Sequence, residues 1–259
     1  MRPIIIALSI LVALANANVA WADQRIAFVV GNGAYKNIER LANPAMSVKA
    51  MEGLLRKLGF EIVLGIDLTR EQFAQQLRDF GAKAKGADPA LFYYAGHGIA
   101  GGGVQSLVPV DADIKAATDP TLGGAINLDV AIDIMGDARV KLMLLDASRD
   151  NPLQSKAASK AVGGAASPGA GMNTLIAFAT GLGQPASDGT ADTVRPFTRA
   201  LIDHIGAPGV EIVRAMSKIR DQLHEDSKGK QISWIASNIG GDVFLNPAAT
   251  PARTPASAK

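Results

Sequence analysis

The chain has 259 residues, of which 48% are hydrophobic and 19% charged, with a formal net charge of +2 and no cysteine. This length suits one α/β domain with a sizeable core, and the lack of cysteine excludes disulfide bonds and thiol chemistry. The charges are interspersed, and no basic stripe alternates with aromatic residues. We therefore expect no nucleic-acid partner.

The N-terminus has the pattern of a secretory signal peptide. Arg2 supplies the positive start, residues 4–15 are apolar, and the Ala-Trp-Ala triplet at 20–22 is a small-x-small cleavage site. The apolar stretch is short for a membrane span, although an uncleaved anchor stays open as an alternative. We expect residues 1–22 to be removed, which would leave a secreted or periplasmic chain without a stable membrane span.

Strands and helices alternate along the rest of the chain. Short apolar runs with β-branched members predict buried strands, and apolar residues spaced three or four apart predict amphipathic helices. The alternation favours an α/β fold with a mostly parallel central sheet and helices on both faces. The predicted strands are 25–30, 61–64, 89–94, 140–145, 173–179 and 243–245, a hairpin arm or edge strand is expected at 106–113 after the glycine turn at 101–103, and the predicted helices are 44–58, 69–85, 127–135, 196–205 and 209–224.

Two segments lack the composition of a folded core. Residues 154–171 are small, polar and glycine-rich, which predicts a mobile loop. Residues 246–259 are rich in Pro, Ala and Thr, which predicts a disordered tail. The folded domain is therefore expected to span residues 23–245.

Two reactive side chains follow buried strands directly. His97 lies between two glycines just past the strand at 89–94, and Ser148 lies just past the strand at 140–145. Ligands gather outside the carboxyl ends of parallel strands, so an imidazole base, a serine nucleophile and an oxyanion-binding Gly98 amide could meet there. Two simpler roles stay open: a histidine that caps a loop, and a serine that bonds its local backbone. The glycine-flanked nucleophile elbow is missing around Ser148.

Cofactor motifs are weak or missing. The GNG triplet at 31–33 follows a strand, but the third glycine of the dinucleotide motif is missing and no GK[ST] sequence follows. His204 and His224 fall on predicted helices without ligand partners at metal spacing. We predict neither a cofactor nor a metal site.

Eight motifs resemble, in order, those of the bacterial caspase-like peptidases, the metacaspase and orthocaspase branch of the caspase superfamily. The resemblance covers residues 25–245, and the eight motifs in this order are highly specific. They are RIAFVVGNGAYKN, LANPA, LRKLGFEI, FYYAGHG, LVPVDAD, LLDASRDNP, NTLIAFATGLGQPASDG and PFTRALIDHI.

The resemblance implies a caspase–haemoglobinase fold, a His–Cys dyad and cleavage after Arg or Lys. His97 matches the family histidine, and Ser148 stands where the family pattern DACRDNP has its nucleophilic cysteine. Asp146 and Asp188 match acidic positions around the pocket for the basic substrate residue. Ser47 stands where the family usually has a further pocket aspartate. Calcium dependence is common in this branch, but no calcium loop is visible here, so we leave it open.

Two departures from the family pattern affect the expected chemistry. A thiol has a pKa near about 8.5 and is readily ionised by an imidazole, whereas an alcohol is a far weaker acid. A serine version needs a strong orienting partner for the histidine and a tight oxyanion site. Loss of a pocket carboxylate also weakens recognition of a cation.

Three functions follow from these departures. The first is a non-catalytic pseudo-peptidase that binds a peptide or protein partner in its cleft. The second is an Arg/Lys-directed peptidase with Ser148 as nucleophile and His97 as base. The third is a structural domain whose cleft has no ligand. The sequence does not decide the oligomeric state.

Overall fold

A computed structural model describes residues 24–101, 104–114, 124–148, 171–181 and 183–248. The predicted signal peptide, the predicted loop at 154–171 apart from its last residue, and the predicted tail beyond residue 248 lie outside the described residues. The predicted domain limits, 23 and 245, stay a prediction. Within the described ranges, no helix is both long and apolar enough to cross a membrane.

Strands and helices follow one another in the predicted alternation. In chain order the strands are β1 (Ile26–Gly31), β2 (Glu61–Ile66), β3 (Ala90–Gly96), β4 (Gly98–Gly101), β5 (Val104–Leu107), β6 (Ile126–Asn127), β7 (Lys141–Ala147), β8 (Thr174–Phe178) and β9 (Trp234–Ser237). The helices are α1 (Pro44–Lys57), α2 (Arg70–Ala84), α3 (Leu128–Ile134), α4 (Pro196–Ile205) and α5 (Ile212–Asp226).

The central sheet has six strands in the order β2-β1-β3-β7-β8-β9. All neighbours pair in parallel except β8 and β9. Strands β1, β3, β7 and β8 are buried along their whole length, which explains why they read as continuous apolar runs rather than alternating ones. A second, three-stranded antiparallel sheet holds β4, β5 and β6.

Helices cover both faces of the central sheet. Side chains of α1, α4 and α5 form one apolar core with it, and side chains of α2 and α3 form the other. Proline at the first position of α1 and of α4 and a Thr69–Gln72 capping box at α2 fix where three of these helices begin. The predicted α/β fold, with a mostly parallel sheet and helices on both faces, is confirmed.

Two predicted strands differ from the structure. The last strand was expected at 243–245, but Phe244 forms only an isolated bridge with Glu211, and the sixth strand is β9 at Trp234–Ser237. Strand β9 lies at the sheet edge and is half-exposed, so it lacks the continuous apolar run that marks a buried strand. The arm expected at 106–113 is the shorter β5, which ends before Pro109, a residue without an N–H to donate to the ladder.

Candidate active site

The carboxyl ends of β3 and β7 bring His97 and Ser148 to one cleft. The two strands pair in parallel, with Gly96 opposite Ala147, so the next residue of each chain leaves the sheet at the same level. His97, Ser148, Asp188 and Arg195 all line a cleft of about 370 Å³. We call His97 and Ser148 the surface pair. The structure places these two residues in one cleft at this edge of the sheet, as we expected.

The imidazole of His97 is oriented by a backbone carbonyl. Its Nε2 lies 2.8 Å from the carbonyl oxygen of Glu39. A carbonyl can only accept, so Nε2 carries a proton and donates it to Glu39. The ring of Tyr35 also lies against the imidazole, with 4.6 Å between the ring centroids. This contact of the imidazole is therefore to a neutral group, whereas a serine triad uses a carboxylate in that role.

Two buried tyrosines hold the backbone of His97. The His97 N–H donates to Tyr35 Oη over 2.7 Å, and the Tyr94 hydroxyl donates to the His97 carbonyl over 2.9 Å. The two hydroxyl oxygens lie 3.2 Å apart. Burial raises the pKa of Tyr35 and of Tyr94 well above the ordinary value, so both stay neutral donors. These hydrogen bonds fix the backbone position of His97, from which the imidazole extends.

The glycines beside His97 are required by packing. A β-carbon at Gly96 would lie 2.5 Å from Tyr94 Oη, and one at Gly98 would lie 2.6 Å from the Ser148 carbonyl oxygen. The Val108 N–H donates to the His97 carbonyl, so the Gly98–Leu107 pair is a non-hydrogen-bonded pair of the antiparallel ladder. The Gly98 N–H therefore does not donate to β5, which keeps it compatible with the predicted oxyanion role.

Ser148 bonds a distant backbone amide. Its partly buried hydroxyl oxygen accepts a hydrogen bond from the Ala186 N–H over 2.9 Å. This is the only hydrogen bond of the Ser148 side chain within the described part of the chain, and its partner is not the imidazole. The simpler role expected from the sequence, a serine that bonds backbone, is therefore present, but across 38 residues rather than locally.

A fully buried ionic cluster lies beneath the surface pair. Asp146 is 0% exposed, and its Oδ1 accepts from Arg195 Nε over 2.9 Å. Its Oδ2 accepts from the Thr198 backbone N–H and hydroxyl, and the hydroxyl of Tyr93 contacts the Thr198 hydroxyl in turn. Thr198 is the third residue of α4, so the carboxylate also caps that helix N-terminus.

Arg195 joins this cluster to the cleft. Its Nη1 donates to Asp188 Oδ1 over 2.7 Å, and its backbone N–H donates to Ser47 Oγ over 3.0 Å. Burial alone would lower the pKa of Arg195, but Asp146 and Asp188 more than offset this and raise it. The guanidinium therefore stays charged although it is only 2% exposed. We call Asp146, Arg195, Thr198, Tyr93 and Ser47 the buried network.

The acidic positions differ from expectation in their exposure. Asp188 lines the cleft and is 24% exposed. Asp146 and Ser47 are 0% exposed, because Arg195 and the start of α4 cover them. The resemblance implied that both positions belong to the pocket wall, but neither side chain faces the cleft directly.

Arg195 was not identified from the sequence. It stands at the N-cap of α4, where Ser, Thr, Asp or Asn is usual, and its side chain makes no capping hydrogen bond. An arginine at this position directly before a helix-starting proline was the available signal. Single charged residues in a polar segment are usually solvated, however, so the signal is weak.

Comparisons with known proteins agree with this architecture. Residues 24–244 match a family model described as the caspase domain. Among curated proteins, the chain is 34% identical over 91 residues to the human mucosa-associated lymphoid tissue lymphoma translocation protein 1, and equally to its homolog in Mus musculus. The match covers 35% of this chain and only 11% of either relative.

A solved structure shows the same fold over most of the chain. Caspase-1 from Spodoptera frugiperda superposes with a TM-score of 0.62 at 15% sequence identity, covering 88% of this chain and 90% of that one. At this identity the likeness shows the fold alone. Since the caspase-domain model matches residues 24–244, the chain belongs to the caspase-domain family of peptidases and peptidase-like proteins.

Proposed function

We propose that this protein is an exported, non-catalytic member of the family that binds a peptide or protein partner in the cleft of the surface pair. The observation that carries the proposal is the hydrogen bond from Ala186 N–H to Ser148 Oγ. Within the described residues, the Ser148 side chain accepts this bond from the 185–188 segment and makes no hydrogen bond to His97. A nucleophile needs that base within hydrogen-bond reach to lose its proton.

The chemistry of the surface pair supports this function. An alcohol ionises far less readily than a thiol, so a serine nucleophile depends on an oriented and polarised histidine. The Glu39 carbonyl that bonds Nε2 of His97 is a neutral group, so this contact adds little negative charge to stabilise an imidazolium. The pair keeps the positions of a dyad but carries an alcohol, which supports a binding role over a catalytic one.

The cleft offers a surface for a ligand. Its walls combine apolar side chains with the imidazole, the Ser148 hydroxyl and the Asp188 carboxylate, a mixture typical of binding sites. The apolar members are Ile38, Leu41, Ile99, Ile114, Pro185 and Ala186. A peptide could bury hydrophobic side chains there while its backbone bonds the polar groups.

Export is the second part of the proposal. Its support is the positive start, apolar stretch and small-x-small site of residues 1–22, which lie outside the described residues. Fractionation of cells that produce the full chain, with N-terminal sequencing of the product, tests it. A mature chain that begins near residue 23 in the exported fraction is the expected result, and an uncleaved chain in the membrane fraction would contradict it.

A turnover assay tests the absence of catalysis. The mature protein, His97→Ala and Ser148→Ala are incubated with fluorogenic peptides that present Arg, Lys, Gln or Asp before the scissile bond. We expect all three proteins to give the same background rate. Turnover by the unmodified chain that both substitutions abolish would instead establish the alternative, a serine peptidase in which His97 accepts the Ser148 proton.

A binding assay tests the positive half of the proposal. Labelled peptides from a random library are selected on immobilised mature protein, and the retained peptides are measured by fluorescence anisotropy. We expect affinities that weaken when Ile99→Asp places a charge on the apolar wall of the cleft, and that are unchanged by Arg56→Ala on the exposed face of α1. Retained peptides that bind Ile99→Asp equally well would contradict a cleft ligand.

A further inference from the structure

Two carboxylates beside the surface pair, those of Asp146 and Asp188, are both bonded to one guanidinium of the chain itself, and we call them the acidic pair. Asp146 is two residues before Ser148, and the 185–188 segment that ends at Asp188 bonds the Ser148 hydroxyl through Ala186. Arg195 lies between them, bonded to one through Nε and to the other through Nη1. Asp188 and Arg195 line the cleft, and Asp146 is buried beneath them.

The guanidinium has donors left over. Arg195 has five N–H groups on its side chain, and two nitrogens are bonded to carboxylates. Within the described part of the chain, Nη2 makes no hydrogen bond, and Arg195 is one of the residues that line the cleft. The group that the acidic pair presents to a ligand is therefore a hydrogen-bond donor and a cation.

The bonds that the acidic pair makes within the chain oppose the binding of a second cation. A ligand's arginine or lysine would have to displace Arg195, which is 2% exposed, or approach its like charge. Displacement would leave a buried cation without partners, which is among the most costly changes inside a protein. Asp188 Oδ2 is also occupied, because it accepts from the Ala42 N–H over 3.0 Å.

We infer that Arg195 is a built-in occupant of this acidic pair and determines the specificity of the cleft: it excludes cationic ligand side chains and selects a hydrogen-bond acceptor, such as an amide or carboxylate oxygen, at that position. The part of the inference that concerns ligands rests on the proposed function. The part that concerns Arg195 and the two carboxylates does not.

Chemical rescue tests the occupant independently of any peptide. Arg195→Ala vacates the guanidinium position, and we expect its melting temperature to fall by about 10 °C. Methylguanidinium at millimolar concentration should restore part of this loss, because it fits between the two carboxylates. Tetramethylammonium at equal ionic strength should not. Arg199→Ala is the matched control, since Arg199 lies on the adjoining helix α4 with 51% of its side chain exposed.

Two further measurements keep the rescue test decisive. Should Arg195→Ala not fold in plain buffer, its refolding yield with methylguanidinium against tetramethylammonium is the readout. The double variant Asp146→Asn/Arg195→Ala removes the buried carboxylate charge, so it should respond little to methylguanidinium. Equal responses of Arg195→Ala to the two cations, in melting temperature and in refolding yield, would overturn the inference.

A peptide pair tests the specificity. One labelled peptide selected on the cleft is made with arginine and, at the same position, with citrulline, its uncharged isostere. We expect the unmodified protein to bind the citrulline peptide at least as well as the arginine peptide, and Arg195→Ala to prefer arginine by about tenfold or more. A preference of the unmodified protein for arginine would overturn the specificity. Failure of both proteins to bind either peptide would contradict the proposed function. The rescue experiment would still show whether Arg195 occupies the acidic pair.

Discussion

The surface pair and the buried network lie one layer apart at the same sheet edge, yet they are built very differently. In the buried network each carboxylate oxygen of Asp146 has a hydrogen-bond partner, and every member is at most 2% exposed. In the surface pair, His97 and Ser148 each bond a different stretch of backbone. One layer is a closed set of charges and hydrogen bonds, and the other keeps two reactive side chains near each other without coupling them.

This difference shows that the charged groups bonded to one another lie in the buried network and not in the surface pair. A buried ion pair tolerates no missing partner, so the lower layer is rigid and does not exchange its own arginine for a ligand's. The upper layer is partly solvated, and its side chains bond neutral backbone groups. Substitutions should therefore reduce stability strongly in the lower layer and only modestly in the upper one.

The largest expected effect comes from the buried carboxylate. Asp146→Ala leaves the guanidinium of Arg195 and the hydroxyl of Thr198 without their main partner, and we expect the free energy of unfolding to fall by about 3–5 kcal/mol. Urea denaturation followed by circular dichroism measures this. The control is Asp226→Ala, which removes an exposed partner 3.6 Å from Arg199 and should cost less than about 1 kcal/mol. Similar losses in the two variants would remove the distinction between the layers.

Alkaline pH should reduce the free energy of unfolding through Tyr93 of the buried network and through Tyr35 and Tyr94, which hold the backbone of His97. Burial raises the pKa of Tyr35, Tyr93 and Tyr94, the chain's three tyrosines, above the ordinary value of 10.0. Below that pH their contribution to stability is complete. Above it the unfolded tyrosines ionise while the folded ones stay neutral, so stability falls by about 1.4 kcal/mol for each tyrosine near pH 11.

Tyrosinate absorbance checks this directly. We expect absorbance and far-ultraviolet circular dichroism to change together as the pH rises, because the phenols ionise only on unfolding. Replacement of Tyr93 by Phe should shift the transition to higher pH, provided that the variant stays folded at neutral pH. Tyrosinate absorbance that appears while the circular dichroism stays native would contradict the burial of these hydroxyls.

A methyl group added between the surface pair should reduce the free energy of unfolding by less than the loss of the buried carboxylate does. In Gly98→Ala the new β-carbon meets the Ser148 carbonyl oxygen at 2.6 Å, so the ends of β3 and β7 must separate, at about 1–3 kcal/mol. Gly53→Ala is the matched control, because Gly53 lies in α1 with nothing within 4 Å of the new methyl. That substitution should stabilise the helix by up to about 1 kcal/mol. Thermal melts should therefore shift in opposite directions, and a shared direction would contradict the close approach at Gly98.

The smallest effect is expected at Ser148 itself. Ser148→Ala leaves the Ala186 N–H without its acceptor, which should cost about 1 kcal/mol of stability. Hydrogen exchange at the Ala186 amide should accelerate, which nuclear magnetic resonance can follow. An unchanged exchange rate would show that the serine does not hold the 185–188 segment.

The sequence predicted the scaffold of the site well. Strands β1, β3 and β7 read as continuous apolar runs because both of their faces are buried, and the residues that follow such strands meet at one edge. The strand pattern alone was therefore enough to place His97 and Ser148 together. The half-exposed edge strand β9 was missed because its pattern is too short and too mixed to separate from a loop.

The partners of the acidic residues could not be predicted in the same way. Asp146 and Arg195 are 49 residues apart, and Ser47 is 148 residues from Arg195. No periodicity connects such positions, and a lone arginine before a proline has the same local pattern whether it is solvated or buried. Resemblance to a family indicated an acidic pocket, but not that this chain fills it.

By itself, the sequence determined the alternation of strands and helices and the position of the surface pair, because each is encoded by neighbouring residues. Only the tertiary structure decided which groups satisfy the two carboxylates. Electrostatic pairing depends on distance in space and on exclusion of water, and the packing of α4 against the end of β7 sets both.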